Sequence, residues 1–404
     1  MLPVDAKKTI YVVDGYGFVF RAFYAVPNLT TQTGEPIGAV FGFFKMIISL
    51  INSARPEYLV VALDTGKRTF RNEIYDNFIE NKAIDELFNT ADCVESFKKV
   101  NLTKDDVKNK TNKELADMLN IDKDKLSLFC ESCGVDKDNP PKVLMLLLFL
   151  ELTDNVKVED YKTQYKANRA PTPDALKSQF KIIRELIEAM GLYKESSVGF
   201  EADDVIGSIA SEAVKKGFQV VVVSADKDLC QLVKDGAVGV YDPSKKIYLN
   251  EEGVFNKFGV KAGQVRDYLS IVGDHCDNIF GVNGIGPKGA VKLLTQYGSV
   301  AHILEHLEDL DEKTRTKFIT SMDVLELAEK LISLRYDAIS VDDFEKYRLH
   351  INHERLAEFI KKYGFKSLDK IQKDSGFSKH RYEKSSHDKN NEKVKTPNIQ
   401  GLLF

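Results

Sequence analysis

At 404 residues the chain is longer than one compact core usually needs, so two or three lobes are expected. It is 43% hydrophobic and 29% charged with a net charge of −4, an ordinary soluble composition in which any nucleic-acid site has to be a local basic patch. The five cysteines (Cys93, Cys130, Cys133, Cys230, Cys276) are odd in number and scattered, which fits a reducing cytoplasm better than a disulfide framework.

The opening MLPVDAKKTIYVV has no signal-type apolar stretch with a small-residue cleavage site, so a soluble cytoplasmic protein is expected. TIYVVDG (9–15) and EYLVVALD (57–64) are near-continuous β-branched runs, the pattern of strands buried in a parallel sheet. Both runs lead into an acid, Asp14 and Asp64 respectively. Between them AVFGFFKMIISLINSA (39–54) reads as a helix.

From 77 to 163 the composition changes. This segment holds 13 Lys, no Arg and 18 Asp plus Glu, hence 13 − 18 = −5, and it reads as an acidic, helical insertion into a host domain. Its most apolar run, VLMLLLFLEL (143–152), is ten residues long and too short to span a bilayer. Cys130 and Cys133 form a lone C-x-x-C, whereas a zinc site needs about four ligands and no second pair or neighbouring histidine is present.

DALKSQFKIIRELIEAMG (174–191) and DDVIGSIASEAVKKG (203–217) read as helices, and FQVVVVSAD (218–226) as a third buried strand leading into Asp226. Strands alternating with helices point to an open α/β sheet, in which ligands collect beyond the carboxyl ends of the strands. Acids at three strand ends therefore converge on one crevice. GFEADDVIG crowds Glu201, Asp203 and Asp204 into a helix start. There a carboxylate gains about 0.3–1 kcal/mol from the backbone dipoles, but three together repel and call for a counter-cation. Asp228 follows Asp226 by two, and GDHCDNIF adds Asp274 and Asp277 at i, i+3. An oxygen-only donor set favours hard cations such as Mg²⁺ or Mn²⁺. Two of these about 3.5–4 Å apart can activate water and stabilise a leaving oxygen in phosphoryl displacement.

The passage GVNGIGPKGAVKLL (281–294) supplies a tight turn at Gly284 and Gly286. Pro287 suits the first helical position, and the free N–H groups would face a phosphate with Lys288 and Lys292 nearby. An ordinary helix–turn–helix would look the same. After about residue 373 the chain is polar and basic, as a disordered tail is, before the apolar ending IQGLLF.

In that order, VVDG, LDTGKRTFR, YKANRAPTPDAL, EADDVIG, SADKDLCQLV and GDHCDNIFGVNGIGPKGA resemble the 5′ nuclease domain of bacterial DNA polymerase I, of the flap endonuclease family, over about 8–76 and 164–350. The resemblance implies an α/β fold with a mostly parallel central sheet flanked by helices, a helical arch and a helix–hairpin–helix DNA-binding subdomain. The corresponding division is a split core (1–76 and 164–262), the 77–163 insertion in the arch region, a helical region (263–372) and a tail (373–404).

The activity it implies is metal-dependent removal of 5′ flaps and RNA primers at single-strand/duplex junctions in replication and repair. Two Mg²⁺ (or Mn²⁺) would serve it, with K⁺ at the hairpin, in a monomer. By the same resemblance Asp14, Asp64, Glu201 and Asp203 hold one metal and Asp226, Asp228 and Asp274 the other. Asp203 is shared, while Asp204 and Asp277 act directly or through water. Arg71, Lys166 and Arg169 hold and polarise the scissile phosphate, although Arg71 and Arg169 pairing only with acids is the bland alternative. Phe20 and Arg21 of GFVFRAF contact DNA, Phe20 standing where the family often has a base-stacking tyrosine, or else belonging to the core.

Two departures stand out: Phe280 replaces the proline of the usual Asn-Ile-Pro-Gly, and the 77–163 segment splits two motifs. The insertion is expected to protrude and leave the active site intact. The terminal QGLLF resembles a sliding-clamp docking peptide, with Gln400 in a polar subsite and Leu403 and Phe404 in an apolar pocket; a chain cut where a next domain begins is the competing reading. The competing function is a junction-binding protein of the same fold with impaired catalysis. A haloacid-dehalogenase-like phosphatase is rejected because it needs Asp-x-Asp after the first strand, which here reads Asp14-Gly15-Tyr16.

Overall fold

A computed structural model describes residues 8–27, 29–31, 33–133, 140–154, 165–166 and 169–365. At its centre is a six-stranded sheet of β1 (Thr9–Asp14), β2 (Tyr58–Ala62), β3 (Tyr193–Glu195), β4 (Gln219–Val223), β5 (Val238–Asp242) and β6 (Ile247–Leu249), in spatial order β3-β2-β1-β4-β5-β6. Every pairing is parallel except β5 with β6. The sheet is thus α/β and mostly parallel. β1, β2 and β4 are its three interior runs of β-branched residues, and Val12, Val60 and Val222 are wholly buried. Buried on both faces, such strands have no need to alternate.

The fold divides into two units. The first comprises Met1–Phe18, Pro56–Asp174 and Leu192–Leu349. Its main core joins the sheet to Val205, Ile206 and Ile209 of the helix Ala202–Lys215, and continues through Leu269, Leu294, Phe318 and Leu331 of the helices that follow the sheet. A separate core lies within the same unit. Phe97, Val107, Leu115, Cys130 and Leu144 close a cluster of short helices running from Ala91 to Asp154. The helix Phe70–Asn89 serves both cores, Tyr75 packing in the first and Ile84 in the second. The boundary expected at 77 therefore falls inside one continuous helix. Cys93 and Cys130 are buried among apolar side chains of this second core, and Cys230 is buried in the first.

The second unit comprises Val19–Arg55, Ala175–Gly191 and His350–Phe404. Within it the buried amide of Gln179 accepts from the backbone N–H of Ala39 at 2.8 Å, at the open start of the helix Gly38–Ala54. That helix has no side-chain cap of its own, so Gln179 supplies the missing acceptor. Among the described residues no helix is long and apolar enough to cross a membrane. The expected tail and the docking residues Gln400, Leu403 and Phe404 lie outside the described residues.

Candidate active site

Asp14 is the last residue of β1, while Asp64 lies two residues beyond β2 and Asp226 three beyond β4. The three neighbouring strands run in the same direction, so their carboxyl ends reach the same edge of the sheet. Asp14 accepts from the Gly17 N–H at 2.9 Å and from the Ser224 hydroxyl at 2.8 Å. Asp64 accepts from the Ala202 N–H at 2.7 Å, which ties the end of β2 to the first turn of the acidic helix. Asp226 accepts from the Asp228 N–H at 2.9 Å, and Asp274 from the Cys276 N–H at 3.0 Å.

Charge accumulates here faster than hydrogen bonds relieve it. Burial pushes the Asp14 carboxyl up to about 6, with the charges of Asp226 and Asp64 adding to it against the two hydrogen bonds. Burial, then Asp226, Asp14, Glu201 and Asp64, hold Asp203 well above the usual carboxylate range. Asp228 is pushed up to about 8 by burial and the charges of Asp226 and Asp274, and its Oδ1 is buried without a hydrogen-bond partner. Asp226 is the link: it raises both Asp14 and Asp203 on one side and Asp228 on the other. The resemblance implied that Asp203 is shared between two cation positions; electrostatically, Asp226 joins the two halves.

Basic side chains already answer part of this charge. Lys166 Nζ donates to both oxygens of Glu201, at 2.9 and 2.8 Å, and lies 3.4 Å from Asp277 Oδ2. Burial alone would lower the pKa of this ammonium, but Glu201 and Asp277 outweigh burial and raise it. Arg169 donates to Asp277 Oδ1 from Nε at 3.1 Å and also from Nη2. Lys227 Nζ sits 2.8 Å from Asp274 Oδ1. Lys227 and Ser224 were missed in the sequence, although Lys227 stands between Asp226 and Asp228 in ADKD.

Arg71 and Asp204 have other work. They are 2% and 0% exposed, and the guanidinium grips the carboxylate at 2.6 and 2.8 Å. Its remaining donors reach the carbonyls of Leu331 at 2.7 Å and Ser333 at 2.9 Å. Asp204 also accepts from the N–H groups of Arg335 and Glu201, at 2.9 and 3.0 Å. Neither the phosphate contact expected of Arg71 nor the cation contact expected of Asp204 fits this geometry. Most donors of one and the acceptor positions of the other are spent on each other and on backbone, out of reach of solvent, and Arg71 Nη1 also lies 3.8 Å from Glu201 Oε2.

Beyond the crevice, the helix Val265–Val272 leads into a two-stranded antiparallel ribbon, β7 (Gly273–Asp274) with β8 (Ile279–Phe280). A turn follows, and then the helix Pro287–Tyr297. Gly284 takes φ +74°, a conformation glycine adopts without strain, and its carbonyl accepts from Lys317 Nζ at 2.7 Å. Gly286 caps the helix, Pro287 holds its first position, and Lys288 and Lys292 are exposed. The hairpin forms with Phe280 in place of proline. Phe20, exposed, and Arg21 lie on the helix Gly15–Ala25, in the stretch belonging to the second unit.

The carboxylates that make no ion pair among the described residues supply oxygen donors only, and Asp228 Oδ1 is a buried acceptor without a hydrogen bond in their midst, a combination that suits hard divalent cations. As the side chains stand, no group of three or more His, Cys, Asp or Glu among the described residues is arranged to hold an ion. Glu201, Asp274 and Asp277 are held by Lys166, Lys227 and Arg169, so a complete donor set needs these pairs to exchange.

Comparison with known proteins places the chain in a family. The family described as 5'-3' exonuclease, N-terminal resolvase-like domain, matches residues 9–121 and 134–259, and the 5'-3' exonuclease C-terminal SAM fold matches 260–354. The class these two domains define is that of the nucleases. The match runs through most of the 77–163 segment, leaving 122–133 outside it. A 5'-3' exonuclease of Aquifex aeolicus (strain VF5) is 31% identical over 90% of this chain and 96% of its own length. The thermostable DNA polymerase I of Thermus aquaticus is 29% identical over 91% of this chain, which spans only 33% of that polymerase. Among solved structures, T5 5'-exonuclease with bound divalent metal ions (zinc) aligns over 89% of this chain and 99% of its own, at 19% identity and a TM-score of 0.49. The chain belongs to the 5'-3' exonuclease family.

Proposed function

We propose that the chain is a divalent-cation-dependent 5′–3′ exonuclease and 5′-flap endonuclease, hydrolysing DNA and RNA-primer phosphodiesters at single-strand/duplex junctions in replication and repair. The observation that carries this reading is the convergence of Asp14, Asp64, Asp203 and Asp228, each raised in pKa, with Asp226 in their midst, none of the five in an ion pair with a basic side chain among the described residues, in a chain of this family. These residues, with Glu201, Asp274 and Asp277 once released, would hold Mg²⁺ or Mn²⁺. Bound there, the cations would supply a more acidic water and electrostatic stabilisation of the leaving oxygen.

The chain's own groups do the rest. Lys166, Arg169 and Lys227, freed from their carboxylates, would hold the scissile phosphate and balance the charge that grows on it as water adds and the P–O bond breaks. The backbone N–H groups at Gly286 and the exposed Lys288 and Lys292 would grip the duplex without reading its sequence. K⁺ at this hairpin and a monomeric enzyme complete the proposal. The helices from Ala91 to Asp154, closed around their own core, are proposed to be an accessory helical module in the arch region. The alternative of a catalytically impaired junction binder is less favoured, since every carboxylate of the resemblance is present.

The direct test is cleavage of a labelled 5′-flap duplex with Mg²⁺ and with EDTA. Mg²⁺-dependent release of the flap is expected, and no cleavage under either condition rejects the enzyme.

A second test needs no substrate. The folded protein holds protons on Asp14 (about 6) and Asp228 (about 8) that the unfolded chain, with carboxyls near 4, has already lost. The folded state therefore binds more protons across that window. In EDTA its stability should fall as pH rises from about 5 to about 8.5, where the repelling carboxylates are ionised. Mg²⁺ binds the ionised form, so it should raise the unfolding temperature by several degrees at pH 8.5 and much less at pH 5.5. Thermal scans in a pH series, with and without Mg²⁺, check this. A Mg²⁺ increment independent of pH would remove the carboxylates as its cause.

A further inference from the structure

Phe280 is 60% exposed, an unusual position for a phenyl ring held by so constrained a backbone. On β8 it stands opposite Gly273 of β7, so there is no cross-strand side chain to cover it. Among the described residues no aromatic ring or cation packs on it. The ribbon beneath is held by close backbone contacts. Gly273 takes φ +83°, and a Cβ there would meet the Gly281 nitrogen at 2.7 Å. At Gly281 a Cβ would meet the Ile271 carbonyl oxygen at 2.2 Å, and the Val282 N–H donates to that same oxygen at 2.8 Å. Strand and helix end are thus pressed backbone to backbone.

The ring's place in the chain gives this exposure a use. Asp274, on the strand paired with Phe280's own, belongs to the carboxylate site, and Asp277 lies three residues before it. Gly284 and Gly286 of the hairpin follow within six residues. A duplex gripped by the hairpin while one strand reaches the carboxylates has to pass this ribbon. Resting on the nuclease reading above, we propose that Phe280 is a substrate-positioning residue: its exposed phenyl face stacks on the nucleotide at the single-strand/duplex junction and sets where the strand enters the carboxylate site.

Stacking of a base on an aromatic face is sequence-tolerant, because every base offers a π-face.

The test uses the full chain, wild type and with Phe280→Ala or Phe280→Trp, on a 5′-flap duplex carrying 2-aminopurine at the junction. Binding is read by anisotropy in EDTA and cleavage by single-turnover kinetics in Mg²⁺. Because the side chain is exposed, neither substitution should change the unfolding temperature. Phe280→Ala is expected to raise the half-saturating enzyme concentration about 10-fold, to relieve the quenching of 2-aminopurine, and to leave the maximal rate within a few-fold. Phe280→Trp is expected to restore affinity and quenching together. Unchanged half-saturation in Phe280→Ala overturns the proposal and leaves the nuclease reading in place. So does a loss that tryptophan fails to rescue, or one without a change in 2-aminopurine emission. Failure of the wild type to cleave at all would remove both.

Discussion

Asp226→Ala is expected to abolish flap cleavage, by on the order of 10³-fold or more, while leaving junction binding measurable. Asp226 is the one carboxylate whose charge is felt on both sides of the cluster, by Asp14 and Asp203 and by Asp228. Its loss would cost a donor to both proposed cation positions and relieve the repulsion that draws cations in. Binding should persist because the proposed grip of the hairpin, with Gly286, Lys288 and Lys292, would hold the backbone elsewhere. The same substitution should stabilise the protein in EDTA at pH 8.5, where it removes a repelling charge. Paired measurements of cleavage and of the unfolding temperature decide the matter: undiminished cleavage, or a fall in stability at high pH, would refute the assignment.

Arg71→Met should act on the fold. Arg71 and Asp204 form a buried bidentate pair, and the guanidinium also satisfies the carbonyls at the end of the helix Met322–Ile332. Removing one partner of such a pair costs about 3–5 kcal/mol, because the other charge is left buried and unpaired. Denaturant unfolding should show a loss of this size, and phosphate affinity should change only as far as the protein unfolds. Asp204→Asn, which keeps part of the hydrogen bonding, should cost less. Full stability in Arg71→Met, with weakened substrate binding, would return Arg71 to the phosphate.

The interior of the sheet was legible because burial on both faces leaves a plain mark. β1, β2 and β4 are unbroken runs of Val, Ile, Leu and Tyr that lead into acids, and so their common edge could be read as a crevice. β3 and β6, three residues each, and the half-buried β5 carry no such mark. The acids themselves could be counted from the sequence, but their partners could not. The Arg71–Asp204 pair joins residues 133 apart, and nothing local shows that, of three crowded acids, Asp204 faces a guanidinium, Glu201 an ammonium and Asp203 the other carboxylates. The segment after Asn77 was set apart by composition, yet composition does not see that one helix carries Tyr75 into the sheet's core and Ile84 into the next.

That shared helix, Phe70–Asn89, makes the two cores unequal partners. Amide protons in the helices from Ala91 to Asp154 can exchange with deuterium through partial opening of their own cluster, with the strands beneath undisturbed. The reverse is barred, since melting the sheet would strip the near half of the helix from which the cluster hangs. A protease acting in the native state should accordingly trim this cluster first and stop where the helix enters the sheet's core.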